Sequence, residues 1–167
     1  MTSPRWLNEE EQQFWRLFLS MDHAFHRSID EVLQTKHDIS DAEFGVLVNL
    51  SEAEPNTIRL RDICTRLAWD RSRASHQVTR MVKRGLITKS ACPGDGRGVL
   101  LNITYEGQRR VEAAAPDHVE NVRSLIFDGI SPEDRKVIAK LAKHILKVTD
   151  GFVIPGGEDV SEDEAEN

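Results

Sequence analysis

Between Asp70 and Gly85 the chain runs Asp-Arg-Ser-Arg-Ala-Ser-His-Gln-Val-Thr-Arg-Met-Val-Lys-Arg-Gly. At helical spacing Ala74, Val78, Met81 and Val82 share one face, while Arg71, Ser72, Arg73, Ser75, His76, Thr79 and Arg80 are left to the other. That outer face offers guanidinium, hydroxyl and imidazole groups and no carboxylate, the donor set that grips phosphates and hydrogen-bonds to base edges. Further along, Asp95-Gly96-Arg97 lies inside a Gly-rich stretch from Cys92 to Gly98. A long cation on a narrow, glycine-permitted loop suits the negative potential of a narrow groove, with Asp95 holding the loop or the guanidinium.

Other chemistries have thinner support. There is no phosphate loop, nucleophile motif or paired-carboxylate arrangement that stands out from solvated helix faces, so no enzyme and no cofactor are expected. His23 and His26 are one helical turn apart, but no carboxylate or cysteine pattern completes a metal site around them. The two cysteines, Cys64 and Cys92, are too few for a disulfide framework, which fits a cytoplasmic protein. Cys64, beside Ile63, suits a small buried hydrophobe. Cys92, expected on an exposed loop near cations, is the candidate redox thiol, weighed against an ordinary surface thiol.

The 167 residues carry a net charge of −6, which by itself argues against a polyanionic partner. Its distribution argues the opposite. Residues 58–104 hold ten Lys and Arg against three Asp and Glu, while residues 1–57 hold four against eleven. Residues 105–149 are nearly balanced, and residues 150–167 hold seven acids and no base. A basic island between acidic flanks is the electrostatic footprint of a nucleic-acid module.

The elements that must position these groups follow from periodicity and caps. Asn8-Glu-Glu-Glu forms a capping box, and Phe14, Leu17, Phe18, Met21, Phe25, Ile29 and Val32 continue one apolar stripe to about Thr35. A stripe this long exceeds what a small core covers, so part of it is expected to meet a second subunit. Ser40 and Glu43 form a second capping box, opening a short helix with Phe44, Leu47 and Leu50 inward, stopped by Glu54-Pro55-Asn56. A helix over Arg61–Leu67 and another over Arg71–Arg84, capped by Asp70 and ended by Gly85, come next. Leu86–Ala91 and Val99–Ile103 are β-prone runs joined by the 92–98 loop. Thr104 caps a further helix with Val111, Ala115, Val119, Val122 and Ile126 inward, in which Pro116 removes one backbone donor. Ser131-Pro132-Glu133-Asp134 opens a last helix whose stripe is Val137, Leu141, Ile145 and Val148. The segment after Thr149 is too polar and acidic to offset chain entropy and is expected to be disordered. No stretch is apolar enough to cross a bilayer, and no export signal opens the chain.

Helix, helix, tight turn, helix and hairpin is the order of a winged helix-turn-helix. The expected fold class is therefore mainly α with a small β-hairpin wing and a helical dimerisation layer. The boundaries are 1–57 for N-terminal scaffold and dimerisation helices, 58–104 for the DNA-binding module, 105–149 for C-terminal dimerisation helices and 150–167 for the tail. The segment from Ile58 through Gly107 resembles the MarR family of bacterial transcription regulators. The resemblance rests on Asp70, Ser72, Ala74, Ser75, Arg80 and Gly85-Leu86-Ile87 in the helix. It continues through Asp95-Gly96-Arg97 in the wing and Ile103-Thr104-Tyr105-Glu106-Gly107 at its close. His76 and the bulky Trp69 depart from the family pattern.

The resemblance implies a homodimer on a pseudo-palindromic double-stranded operator, with Arg97 entering the minor groove and half-sites about 10 bp apart. It also implies a repressor that releases DNA when a small aromatic or anionic effector wedges between dimer layer and winged module, with Trp15, His23 and His26 as candidate lining. The alternatives are a redox- or metal-responsive regulator of the same fold, or a winged-helix adaptor that binds protein.

Overall fold

A computed structural model describes residues 3–149. The 150–167 tail and the side chain of Arg97 lie outside the described residues. The first helix, α1 (Glu9–His37), opens on the expected capping box: Asn8 Oδ1 accepts from the Glu11 amide and the Glu11 carboxylate accepts from the Asn8 amide. Ser40 and Glu43 repeat the device at the start of α2 (Asp41–Ser51). Then follow β1 (Thr57–Arg59), α3 (Leu60–Arg66), α4 (Arg71–Lys83), β2 (Ile87–Cys92), β3 (Asp95–Ile103), α5 (Tyr105–Val122), a π-helical turn (Arg123–Phe127) and α6 (Pro132–Val148). Pro116 lies inside α5. Asp70, Thr104 and Ser131 cap their helices through side-chain oxygens. Among the described residues no helix is long and apolar enough to cross a membrane.

Two features of the sheet differ from the expected hairpin. A third strand, β1, pairs antiparallel with β3, giving the order β1-β3-β2 with Ile58 opposite Leu101. Three residues are too few to carry a period-two pattern, so only the pairing reveals this strand. The Cys92–Gly98 segment is not an open loop. Cys92 pairs with Asp95 and the reversal is confined to Pro93-Gly94, with Gly94 at φ 76°. Proline followed by a positive-φ glycine is what a type II turn demands, and the chain uses it to extend both strands of the wing.

The core forms where α2, α3, α4 and the sheet meet. Leu33, Ile39, Val46, Leu47, Leu50, Ile63, Met81 and Leu101 are completely buried, with Leu86 and Ile87 nearly so. This packing holds α4 against the rest by Ala74, Val78 and Met81, as its periodicity predicts, and adds Gln77, 3% exposed. Three expected inward stripes are wholly or partly uncovered. On α1 only Ile29 and the neighbouring Leu33 are fully buried, while Phe14, Leu17 and Met21 are open. On α5 Val119 is exposed, and α6 buries none of its residues, leaving Val137, Leu141, Ile145 and Val148 uncovered. The helices form as their patterns require, but among the described residues nothing covers those faces.

One half-buried group makes stability depend on pH. His118 on α5 packs its ring against Phe44, with centroids 4.6 Å apart. Burial pushes its pKa below the ordinary histidine value, and Asp41 opposes the shift. The unfolded chain then binds the proton more readily, so this stabilisation is present above about pH 6.5 and is lost as pH falls toward the lower folded value. Urea denaturation at pH 7 and pH 5 is expected to show a smaller loss of stability on acidification for H118Q than for the wild type. Equal losses would rule out this contribution.

Candidate nucleic-acid interface

The outward face of α4 is assembled as its sequence implies. Arg71, Ser72, Arg73, His76, Thr79 and Arg80 are exposed, and Ser75 is half-buried. Asp70 accepts from the Arg73 amide through Oδ1 (2.9 Å), so the cap carboxylate is engaged by the backbone of the first turn. Thr79 donates its hydroxyl to the Ser75 carbonyl (2.8 Å), and Arg80 donates to Gln77 Oε1. Gln77 was not among the residues singled out by type, although its position three after Ala74 places it on the buried face. Trp69, in the turn before α4, is half-buried against the core and carries the Arg73 guanidinium 4.8 Å from its ring centroid.

At the wing, Asp95 and Arg97 sit at the start of β3. Asp95 approaches Arg59 of β1, with Oδ2 3.7 Å from the guanidinium, so the third strand supplies a cation to the wing root. Arg59, Arg61 and Arg71 line one cleft of about 290 Å³ with Leu60, Cys64, Asp95 and Val99. Three guanidiniums from β1, α3 and α4 around one cleft form an anion-attracting surface. Sequence reasoning counted Arg59 and Arg61 only toward net charge, because their convergence depends on the β1 pairing.

Both cysteines lie close to this module. Burial pushes the Cys64 thiol above the ordinary value, the opposite of activation. Cys92 is 6% exposed, correcting the expectation of an open thiol. Its pairing with Asp95, and the approach of Gly98, where an added Cβ would lie 2.7 Å from the Cys92 Cβ, fold the wing over it.

A cluster of charges anchors the far end of α4. Arg84, its C-cap, donates to the buried Glu43 (2.7 Å) and to Asp38 Oδ2 (2.8 Å). Arg110 of α5 donates to the same Asp38 oxygen (2.8 Å), to the Asp38 carbonyl (3.0 Å) and to Glu106 (2.7 Å). Asp38, in left-handed conformation at the end of α1, has its pKa lowered chiefly by the Arg110 hydrogen bond and then by the Arg84 charge. Hydrogen bonds from Arg109 and Arg110 hold Glu106 down at about 2. Four helix ends are thus joined at one place behind the interface.

The residues considered for an effector are spread along α1. Trp15 is exposed and stacked on Phe18, and His23 is exposed. His26 lies three turns further along than Trp15, about 16 Å, between Asp22 and Asp41 at 3.8 and 3.7 Å. A different groove, of about 320 Å³, runs between α2 and α5 and is lined by Phe44, Val48, Gln108, Val111 and His118. Gln108 Oε1 and His118 Nδ1 are buried there without a hydrogen-bond partner. Among the described residues no three His, Cys, Asp or Glu side chains come together as metal ligands.

Comparison with known proteins gives a consistent picture. A model of the MarR family matches residues 37–98, from the end of α1 to the wing. The MarR family transcriptional regulator Sco3205 of Streptomyces coelicolor, solved in complex with DNA, is 31% identical, covers 89% of this chain and 92% of its own, and superposes with a TM-score of 0.82. AbsC, a MarR family regulator of the same organism, is 33% identical over 88% of this chain and 99% of its own, with a TM-score of 0.81. The HTH-type transcriptional regulator PecS of Dickeya dadantii is 26% identical over 124 residues, 72% of this chain and 74% of that protein.

Proposed function

Because the chain belongs to the MarR family, non-catalytic regulators with a DNA-binding winged helix-turn-helix, we propose that it is a sequence-specific regulator that binds a pseudo-palindromic operator as a homodimer and acts as a ligand-responsive repressor. The observation that carries the DNA reading is the carboxylate-free outer face of α4, mounted on a buried apolar face and set beside a basic wing. In this reading Arg71, Ser72, Arg73, Ser75, His76, Thr79 and Arg80 meet the major groove and its phosphates. Asp95 stabilises the wing and Arg97 enters the minor groove, as in the family pattern. Arg59 and Arg61 join Arg71 on the backbone. The direct test is enrichment of duplexes from a randomised pool by the purified chain. Enrichment of an inverted repeat with half-sites about 10 bp apart is expected, whereas a winged-helix protein adaptor would enrich nothing.

Homodimerisation is supported by the faces left uncovered on α1 and α6. Phe14, Leu17 and Met21 on one helix, and Val137, Ile138 and Val148 on the other, are more than half or about half exposed. An apolar surface of that extent marks a partner site. Light scattering is expected to give twice 18.9 kDa for the wild type and 18.9 kDa for I138E/L141E. The variant should keep its helical circular dichroism and lose about 100-fold in operator affinity, since two linked half-site contacts become one. A variant that stays dimeric would remove α6 from the interface.

Effector response is supported by the α2–α5 groove, whose aromatic wall and two unpartnered polar atoms suit a small aromatic or anionic molecule with donor groups. In this reading a second α1 carries Trp15, His23 and His26 to the groove across the dimer, since none of them lines it within one chain.

A further inference from the structure

We propose that Trp69 is a positioning residue that sets base specificity by holding Arg73 as a pre-ordered fork at the start of the recognition helix. The proposal rests on the DNA reading above and adds to it a residue outside the outer face of α4.

The indole is fixed from several sides. It belongs to the tight turn between α3 and α4, where Ala68 takes a left-handed conformation (φ 50°) and the Trp69 amide donates to the Cys64 carbonyl at 2.9 Å. Its ring packs against the hydrophobic core and is half-buried, which restricts its rotamers. Asp70 follows and caps α4 by accepting from the Arg73 amide, which sets the direction in which the Arg73 side chain leaves the helix. The guanidinium then lies 4.8 Å from the indole centroid, with its own residue exposed.

This contact occupies the part of arginine that DNA does not need. The contact is recorded at Cζ, which carries no hydrogen, while all the guanidinium N–H donors sit on the surrounding nitrogens in the plane of the group. A planar fork with free donors is the partner of the O6 and N7 acceptors of guanine. An exposed arginine on a first helical turn otherwise samples many rotamers and loses that freedom on docking. One already held over a half-buried ring loses less. Arg80 is tethered differently, by the buried Gln77, so α4 presents two arginines held by different neighbours.

The experiment is a double-mutant cycle on W69L, R73A and W69L/R73A, with W69F as the conservative variant. Affinity is measured on the duplex that the wild type enriches from a randomised 20-bp pool, and each variant repeats the selection. W69L is expected to weaken binding about fivefold and W69F less than about twofold, the scale of a cation–π contact. In the R73A background W69L should change affinity no further, although any loss of thermal stability it causes persists there. W69L selection should lose a guanine preference at one symmetry-related pair of positions. In the DNA-free wild type the Arg73 methylene resonances should be shifted upfield by the ring and return to ordinary values in W69L. Equal W69L losses with and without Arg73, or unshifted Arg73 resonances, overturn the proposal while leaving the DNA reading intact. A wild type that enriches no sequence overturns both.

Discussion

Replacing Arg73 and Arg80 together with alanine is expected to weaken operator binding by about 1,000-fold at low salt, the sum over a homodimer of four contacts worth about 1 kcal/mol each. Both side chains are exposed on α4, so their removal takes no atoms from the core. The structural cost falls on Gln77, whose buried Oε1 loses the Arg80 donor, about 1 kcal/mol, and on Trp69, whose ring loses the Arg73 guanidinium, about 0.5–1 kcal/mol. That cost is too small to unfold a domain of this size, and circular dichroism and thermal melting separate it from the binding loss. Salt titration distinguishes the roles of the two arginines. Each one bound to phosphate lowers the slope of log affinity against log salt by about two in the dimer, one per protomer, whereas one read by a base changes affinity with a smaller change in slope and relaxes preference at one symmetry-related pair of positions. Affinity within about threefold of wild type would sink the assignment of α4 as the recognition helix.

The second large effect is on the fold itself. G107A is expected to destabilise the chain by about 3 kcal/mol and lower its melting temperature by about 10 °C. An alanine inside a helix normally gains about 1 kcal/mol over glycine, so helix propensity predicts the opposite sign. Packing decides the outcome. A Cβ on Gly107 would stand 2.1 Å from the Leu86 carbonyl oxygen and 3.0 Å from both Ile103 Cγ1 and Leu47 Cδ2. The Leu86 carbonyl cannot retreat freely, because it accepts from the Thr104 amide (3.1 Å) and the Thr104 hydroxyl (2.8 Å), the residue that caps α5. Relief of the clash therefore breaks the junction between wing and α5. A stability equal to wild type in urea denaturation would show that α5 has room to shift here.

These two predictions draw on different layers of information. The outer face of α4 was legible because a helix repeats every 3.6 residues, so side-chain type and spacing alone sort its residues into buried and open. Caps were legible for a similar reason: Asn8, Ser40, Asp70, Thr104 and Ser131 act on amides two or three residues away. The clash at Gly107 was legible only as a motif glycine, since the atoms that forbid a Cβ come from Leu86, Ile103 and Leu47, far apart in the chain. Glu43 shows both cases at once. Its spacing from Ser40 marked it as a capping residue, but its burial against Arg84, forty-one positions away, needed the helices to be packed.

The wing divides in the same way. Its strands are legible as β-prone runs, while the width of the turn is not, because the glycines that suggest a loop also permit Pro93-Gly94 to close the hairpin tightly. That tightening buried Cys92 and removed the exposed thiol on which a redox response would depend.

What the chain order alone determined was everything set by near neighbours: which segments become helices, where they start, which face of α4 is polar, and that the basic charge gathers in the middle third. Tertiary structure decided what depends on meetings between distant segments. It added β1 to the wing, brought Arg59, Arg61 and Arg71 round one cleft, seated Arg73 on Trp69, and left the apolar faces of α1 and α6 open. The reason is physical: periodicity and capping act over one or two helical turns, whereas burial and ion pairing answer to whichever side chain the folded chain brings within a few ångströms.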